Sequence, residues 1–487
     1  MMAARDKKRH YLDPQPPSDS NNPNKKPKLQ NFPSYLETPN LSPKLKLLCE
    51  IIATTPSASV EKLLDETGIR VSREDVEQIL KLSYSFPGPA VKFFRWSGRQ
   101  LSDKLSPYAW NLVVDLLGKN SLFDAMWDAI KSMRRTSMVS LATFASVFSS
   151  YVMVDRVKDV IMTFDVMDQY GVARDIIALN SLLSAICQGG RTTSAVEFLR
   201  IAKERIRPDT DTYAILLEGW ETEGDKVGAR GTFSDMVCEI GWNPQNVPAY
   251  TSFLCTLVKG RAGVDEAIKF FVTMIERGCC PGIKFFEVAM EECLRTCDVR
   301  AAEFLWESML KICVKPDISM YNNMIALYCY SNKIDAAKSI FDDMVCNGAF
   351  PDTQTYNIMF QFFLKIRKLR EASVLFKEMI KNECIPNQAN CIAAIRNFMD
   401  AGEVYMAIKV WKCMLDNHDS DLEETGNFLV VGLRDLDMIP EAVKYAELMI
   451  EKGIRLASSS MSKLKQRLYK AGKESVYEDL SKKWKAN

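Results

Sequence analysis

Five asparagines, Asn111, Asn180, Asn322, Asn357 and Asn427, recur at corresponding places along this 487-residue chain. Three follow an aromatic ring, in Trp110-Asn111, Tyr321-Asn322 and Tyr356-Asn357, and Leu179-Asn180 is a variant. A carboxamide offers both donor and acceptor, the equipment of recognition. The groups that carry catalysis are sparse by comparison. The two histidines, His10 and His418, lie in no HxE or HExxH setting, which leaves histidine-ligated zinc unsupported. Neither a GxxxxGK[ST] phosphate loop nor a GxSxG elbow is present. Fourteen cysteines are scattered without a CxxC pair and read as small buried residues of a reducing compartment. As nucleophiles they lack a base, unless His418 serves. These features point to a binding protein, with no enzyme activity, no cofactor and no metal.

The asparagines ride on a repeat. Met274, Met309, Met344, Met379, Met414 and Met449 stand 35 residues apart, and Ala267, Ala302, Ala337, Ala372, Ala407 and Ala442 repeat the interval seven residues earlier. Met133, Met167, Met236, Ala195 and Ala229 continue both series upstream with small length changes. A fixed period of this size marks a solenoid or array. Within residues 318–352, Tyr321, Met324, Ile325 and Tyr328 form one helical stripe, Ser331-Asn332-Lys333 breaks it, and Ala337, Ile340, Phe341 and Met344 form a second. Gly348 and Pro351 then stop the chain, and Asp352 or Ser319 caps the helix beside it. The small alanine marks the crossing of the two helices. Tyr321 must be helical for its stripe to work, so Asn322 lies inside the first turn, where asparagine is not favoured by propensity.

Helical hairpins are expected at 107–140, 141–175, 176–209, 210–245, 247–282, 283–317, 318–352, 353–387, 388–422 and 423–457, with loose register near 241–264. Residues 36–106 hold N-terminal helices and a degenerate unit, with Val76, Ile79, Leu80, Ala90, Phe93, Phe94 and Trp96 in its core. Residues 458–487 form basic capping helices, and 41–487 reads as one superhelix. Residues 1–35 are a Pro-, Asn- and Lys-rich leader whose composition predicts disorder. No apolar run is long enough for a membrane span. Net charge is +1; residues 1–35 carry +4 and residues 458–487 carry +5, which leaves about −8 for the middle. That counts against a broadly basic nucleic-acid surface.

The aromatic-Asn pair near each unit's start, with closing phrases such as Arg207-Pro-Asp209, Lys315-Pro-Asp317 and Phe350-Pro-Asp352, resembles the pentatricopeptide repeat family, in its plain or P class. The resemblance covers about 350 residues and is strongest over 318–387. It implies an all-α, right-handed α-solenoid superhelix of about ten to eleven helix-turn-helix repeats of 34–36 residues. It also implies sequence-specific binding of single-stranded RNA, one base per repeat, acting sterically in organellar RNA processing, stability or splicing. The base-reading places are the fifth and last residues of each unit, on the concave face, where a carboxamide can meet a base edge. Carried across, Asn322 with Asp352 and Asn180 with Asp209 favour uracil, Asn357 with Asn387 cytosine, and Asn111 with Ser140 a pyrimidine. Thr251 suggests a purine, and Asn427, closed by Ala457, has a weak pyrimidine preference. Glu287, Ile392, Ala145 and Ala214 occupy fifth places that match no pair. Ile177, Ser319, Gln354 and Glu424 occupy second places, where an aliphatic clamp is usual. The second reading, motivated by the negative array, is a protein-binding scaffold on the same solenoid. The family's habit implies a mitochondrial location. The leader, with Asp6, Asp13 and Asp19, makes a poor transit peptide, and Lys7-Lys8-Arg9 and Lys25-Lys26-Pro27-Lys28 leave nucleus or cytosol as alternatives.

Overall fold

The closing aspartates, three of them in Pro-Asp phrases and Asp175 after Arg174, are start signals. Asp175, Asp209, Asp317 and Asp352 each stand in extended backbone just before a helix, and their side chains accept from Ala178, Thr212, Met320 and Thr355 amides. Each thereby satisfies a donor that the first turn would leave unpaired. Between the two possible caps of each helix, the aspartate preceding it does the work; Ser319 lies inside its helix. Gly348, at φ +78°, ends the helix Ile334–Cys346 from the left-handed region as a C′ residue should.

The computed structural model describes residues 32–486 apart from 39, 103, 260 and 261. Among the described residues there are 26 α-helices, two short 3-10 helices and no strand. The first helices of successive hairpins begin at Pro107, Leu141, Ile176, Thr210, Val247, Ile283, Ile318, Thr353, Gln388, Leu422 and Ser458. The chain is thus an all-α stack of helical hairpins. Every methionine and alanine of the two marker series is at most 1% exposed, so both are core positions. Ala337 and Met344, for instance, are both fully buried, and a larger residue at Ala337 would overpack the core. Among the described residues no helix is long and apolar enough to cross a membrane.

The contacts divide the chain into two compact units, where the periodicity alone predicts a single array. One holds the described residues up to Thr256 with Met274–Cys280; the other holds Leu257–Thr273 with Pro281 onward. The division falls in the one hairpin whose register is irregular. Within the first unit, Pro107–Lys119, Leu141–Met153, Ile176–Gln188 and Thr210–Glu223 stack in order as a layer of first helices. In the second, Ile283–Thr296, Ile318–Tyr330, Thr353–Lys365, Gln388–Asp400, Leu422–Asp435 and Ser458–Lys470 do the same.

Most of the predicted leader, with His10 and both basic clusters, falls at residues 1–31, outside the described residues. Its last residues are structured: Phe32 packs 5.0 Å from the Tyr84 ring, and Ser34 caps the 3-10 turn Tyr35–Glu37. An apolar ring can anchor what composition reads as tail. The expectation that the cysteines are buried holds for eight of the fourteen; Cys280 and Cys413 are half-buried, and Cys238, Cys297, Cys313 and Cys346 are exposed. Burial pushes the thiols of Cys49, Cys293, Cys329 and Cys391 up to about 12, which keeps them neutral.

Candidate nucleic-acid interface

In the hairpins 318–352 and 353–387 the fifth residue sits one step past an anchored ring. Tyr321 is buried, and its hydroxyl accepts from Asn347 Nδ2 at 3.1 Å, at the far end of the same hairpin. Tyr356 accepts likewise from Asn382 Nδ2 at 2.7 Å and donates to Glu378 Oε1 at 2.9 Å. Pinning the ring fixes the rotation of the first helix, and with it the direction of the next side chain.

The asparagine then meets the closing residue of its own hairpin and the third residue of the next. Asn180 Nδ2 donates to Asp209 Oδ1 at 3.1 Å, and Thr212 Oγ1 donates to Asn180 Oδ1 at 2.7 Å. Asn322 repeats this: Nδ2 to Asp352 Oδ1 at 3.3 Å, and Thr355 Oγ1 to Asn322 Oδ1 at 2.6 Å. The aspartate is also the cap, accepting from the Thr212 amide at 2.8 Å in one case and from the Thr355 amide at 2.8 Å in the other. Each threonine hydroxyl accepts in return from the aspartate's own amide, at 3.1 and 3.2 Å. Burial would raise both aspartate pKa values. The bonds from threonine amide, threonine hydroxyl and asparagine outweigh it and hold both carboxyls below the ordinary range.

The other predicted sites are built differently. Asn357 Oδ1 accepts from the Asn387 amide at 2.7 Å and from Asn390 Nδ2 at 2.9 Å, while its Nδ2 donates to the carbonyls of Thr353 and Ile385 at 2.8 and 3.2 Å. Asn427 follows suit: Oδ1 accepts from the Ala457 amide at 2.9 Å, and Nδ2 donates to Glu423 and Arg455 carbonyls at 2.7 and 3.1 Å. Asn387 is exposed and caps Gln388–Asp400 through the Asn390 amide. Asn111 Oδ1 accepts from Thr143 Oγ1 at 2.7 Å, and Ser140, its closing partner, stands at the cap of Leu141–Met153, its amide donating to the same hydroxyl at 3.1 Å. Thr251 departs from the expected reading: it is buried, and its hydroxyl donates to Val247 O at 2.7 Å, the back-bonding usual for threonine inside a helix.

The asparagines, expected at base-reading places on the concave face, are partly or wholly covered. Asn322 is 2% exposed and Asn357 9%, because the first turn of the next hairpin lies over them; Asn111, Asn180 and Asn427 are half-buried. The second-place residues beside them, Ile177, Ser319, Gln354 and Glu424, are exposed. So is Tyr108, at the second place of the first hairpin, with Lys81 Nζ 4.9 Å from its ring.

Two cavities open on the first-helix layers. One, of about 630 Å³, is lined by Tyr84, Tyr108, Asn111, Asp115, Lys119 and Ala145 among others. Its charge is internally paired, Lys119 Nζ lying 2.8 Å from Asp115 Oδ2. The other, of about 760 Å³, surrounds Asn427 and Ala457 with Asp419, Asp421, Glu423 and Glu424 against a single Arg455. Sequence reasoning missed the buried Thr143, Thr212, Thr355 and Asn390. Their signal was present as a polar residue three places after each closing residue, in Ser140-x-x-Thr143, Asp209-x-x-Thr212, Asp352-x-x-Thr355 and Asn387-x-x-Asn390.

Fold and spacing define a helical-hairpin repeat protein with a polar contact across five of its seams. Residues 316–365 match the PPR repeat family, residues 354–384 the PPR repeat, and residues 162–220 the pentatricopeptide repeat domain. Over residues 162–220 and 316–384 its hairpins are thus matched as pentatricopeptide repeats. A mitochondrial pentatricopeptide repeat-containing protein of Arabidopsis thaliana is 33% identical over 175 residues, 36% of this chain and 34% of that protein. The small ribosomal subunit protein mL103 (rPPR7) of the same plant is 26% identical over 259 residues, 52% and 62% of the two chains. The chain therefore spans between about a third and three fifths of these relatives. The crystal structure of the pentatricopeptide repeat protein PPR10 in complex with an 18-nt psaJ RNA element aligns at 20% identity with a TM-score of 0.41, covering 90% of this chain and 68% of that one.

Proposed function

We propose that this protein binds single-stranded RNA through its first-helix layers, one base to a hairpin, and acts sterically in mitochondrial RNA processing, stability or splicing. The observation that carries this is the meeting of the fifth and last residues: Asn180 with Asp209, and Asn322 with Asp352, join in one polar constellation at the seam between hairpins. Nothing in helix packing requires a carboxamide there. Ala145 and Ala214 fill the same place in other hairpins. Uracil is the base for the hairpins of Asn180 and Asn322, cytosine for that of Asn357, and a pyrimidine for those of Asn111 and Asn427. The first two are the stronger readers, since their amides face a side-chain carboxylate, whereas Asn357 and Asn427 are tied to backbone. Mitochondrial names among the relatives support the location.

The array's negative charge limits what phosphate attraction can supply, so stacking and base-edge bonds must carry more of the affinity. The test is binding of the full chain to RNAs of about ten nucleotides, one per hairpin, at physiological salt, with uracil or adenine opposite the hairpins of Asn180 and Asn322. Tighter binding of the uracil RNA, lost in the N180A/N322A double variant, is the expected result. Equal and weak binding of every RNA, with a folded protein by circular dichroism, overturns the reading.

A further inference from the structure

The amides of Asn180 and Asn322 are held unevenly. In each, Oδ1 accepts from a threonine hydroxyl at 2.7 or 2.6 Å, whose one hydrogen is shared with the aspartate Oδ1 at the longer 2.9 or 2.8 Å, while Nδ2 gives one hydrogen to that aspartate at 3.1 or 3.3 Å. Among the described residues the second Nδ2 hydrogen has no other protein partner. In Asn357 and Asn427 both hydrogens are spent on backbone carbonyls. At Asn111 the hydroxyl of Thr143, at 2.7 Å, is the amide's one protein partner among the described residues. Thr143, Thr212 and Thr355 are all fully buried, and the last two are fixed from behind by the amides of Asp209 and Asp352.

We propose that Thr143, Thr212 and Thr355, each the third residue of the following hairpin, are specificity-positioning residues that set which end of the preceding asparagine meets a base. This rests on the RNA-binding reading above. The two ends of a carboxamide are nearly equal in size, so its partners alone decide its orientation. With Oδ1 held by a hydroxyl, the end left for a ligand is N–H. That suits the O4 acceptor of uracil and opposes the N4 amino donor of cytosine. An amide released from the threonine can turn over, offer Oδ1 and accept from cytosine instead. The threonine touches no base in this scheme; it acts through the asparagine.

The experiment compares the wild type, T212V and T212S for binding to two RNAs that differ only by uracil or cytosine opposite the hairpin 176–209. The wild type should favour uracil by about fivefold, the worth of one hydrogen bond. T212V should bring the ratio to within about twofold and T212S should keep it, since only the hydroxyl matters. A role in folding alone would lower both affinities together and leave the ratio unmoved. A wild type that binds no RNA defeats the functional reading itself. A wild type that discriminates, with T212V discriminating equally well, defeats only the positioning role. If T212V does not fold, N387D and N387D/N390T decide the matter at a seam whose closing residue is exposed. The double variant should favour uracil opposite the hairpin 353–387 by about threefold more than the single one, and equal ratios overturn the proposal.

Discussion

In the hairpin 318–352 the amide nitrogen of Asn322 faces the carboxylate of Asp352; one hairpin on, the nitrogen of Asn357 faces backbone carbonyls and its oxygen takes the amide of Asn387. The two asparagines occupy the same place on the same kind of helix, after the same tyrosine. What differs is the closing residue. A carboxylate accepts, so it draws Nδ2 toward itself and leaves Oδ1 to the threonine. Where asparagine or alanine closes the hairpin, the strongest nearby group is that residue's backbone N–H, which draws Oδ1 and turns the amide over. Asn180 with Asp209 and Asn427 with Ala457 repeat the contrast in hairpins far apart in sequence. The closing residue therefore does two jobs, capping the next helix and choosing the sense of the amide behind it.

Removing the carboxylate should do the most damage. D352A deletes a cap and leaves the Thr355 amide and the buried Asn322 short of a partner, at a cost of about 2–3 kcal/mol. N387A should cost about 1 kcal/mol, because the exposed side chain caps while the backbone amide that holds Asn357 remains. Urea unfolding of the two variants tests the difference, and equal losses would erase the distinction between the two kinds of hairpin. In RNA binding, N180A should weaken affinity about tenfold and N427A by less than about twofold. The cavity around Asn427 presents four carboxylates that repel phosphate. Fluorescence anisotropy with one RNA measures both.

A gain is expected where a cap is missing. Ala457 has the extended backbone of a cap residue but no side chain to bond with, so A457S should stabilise the protein by about 1 kcal/mol in the same unfolding assay. The smallest effect is in pH dependence. Asp209 and Asp352 lie below the ordinary aspartate range in the fold. Their contribution to stability is complete above the unfolded value of about 3.9 and lost as pH falls through the depressed folded one. The D209N/D352N variant should therefore be less stable than wild type at neutral pH, with the gap closing as acid is added. Thermal melts from neutral to strongly acid pH follow that gap, and a gap that widens on acidification contradicts the assignment.

The helical stack was legible because its signals are periodic and local. One methionine and one alanine per hairpin mark core positions, and Pro-Asp marks a stop and a cap. The site was half legible. Asn322 and Asp352 stand out by spacing, but Asn322's burial depends on the next hairpin's first turn, which covers it. The orientation of its amide is set by groups from two hairpins at once, 30 and 33 residues away. Thr355 is a capping-box residue; that its hydroxyl also meets Asn322 follows only once the seam is closed. Thr251 shows the converse. Its place in the repeat promised a reading residue, yet a hydroxyl inside a helix has a carbonyl four residues back within reach.

The bond from Thr355 to Asn322 crosses the seam between one hairpin and the next. A cassette cut for exchange at the closing aspartate would sever it and hand the asparagine a foreign neighbour. The segment that travels with its chemistry intact is offset: it runs from before the asparagine, through the closing aspartate, to the threonine three residues beyond. Chimaeras of such arrays joined after Thr212 or Thr355 would carry whole recognition units, while those joined at Asp209 or Asp352 would divide each between two parents.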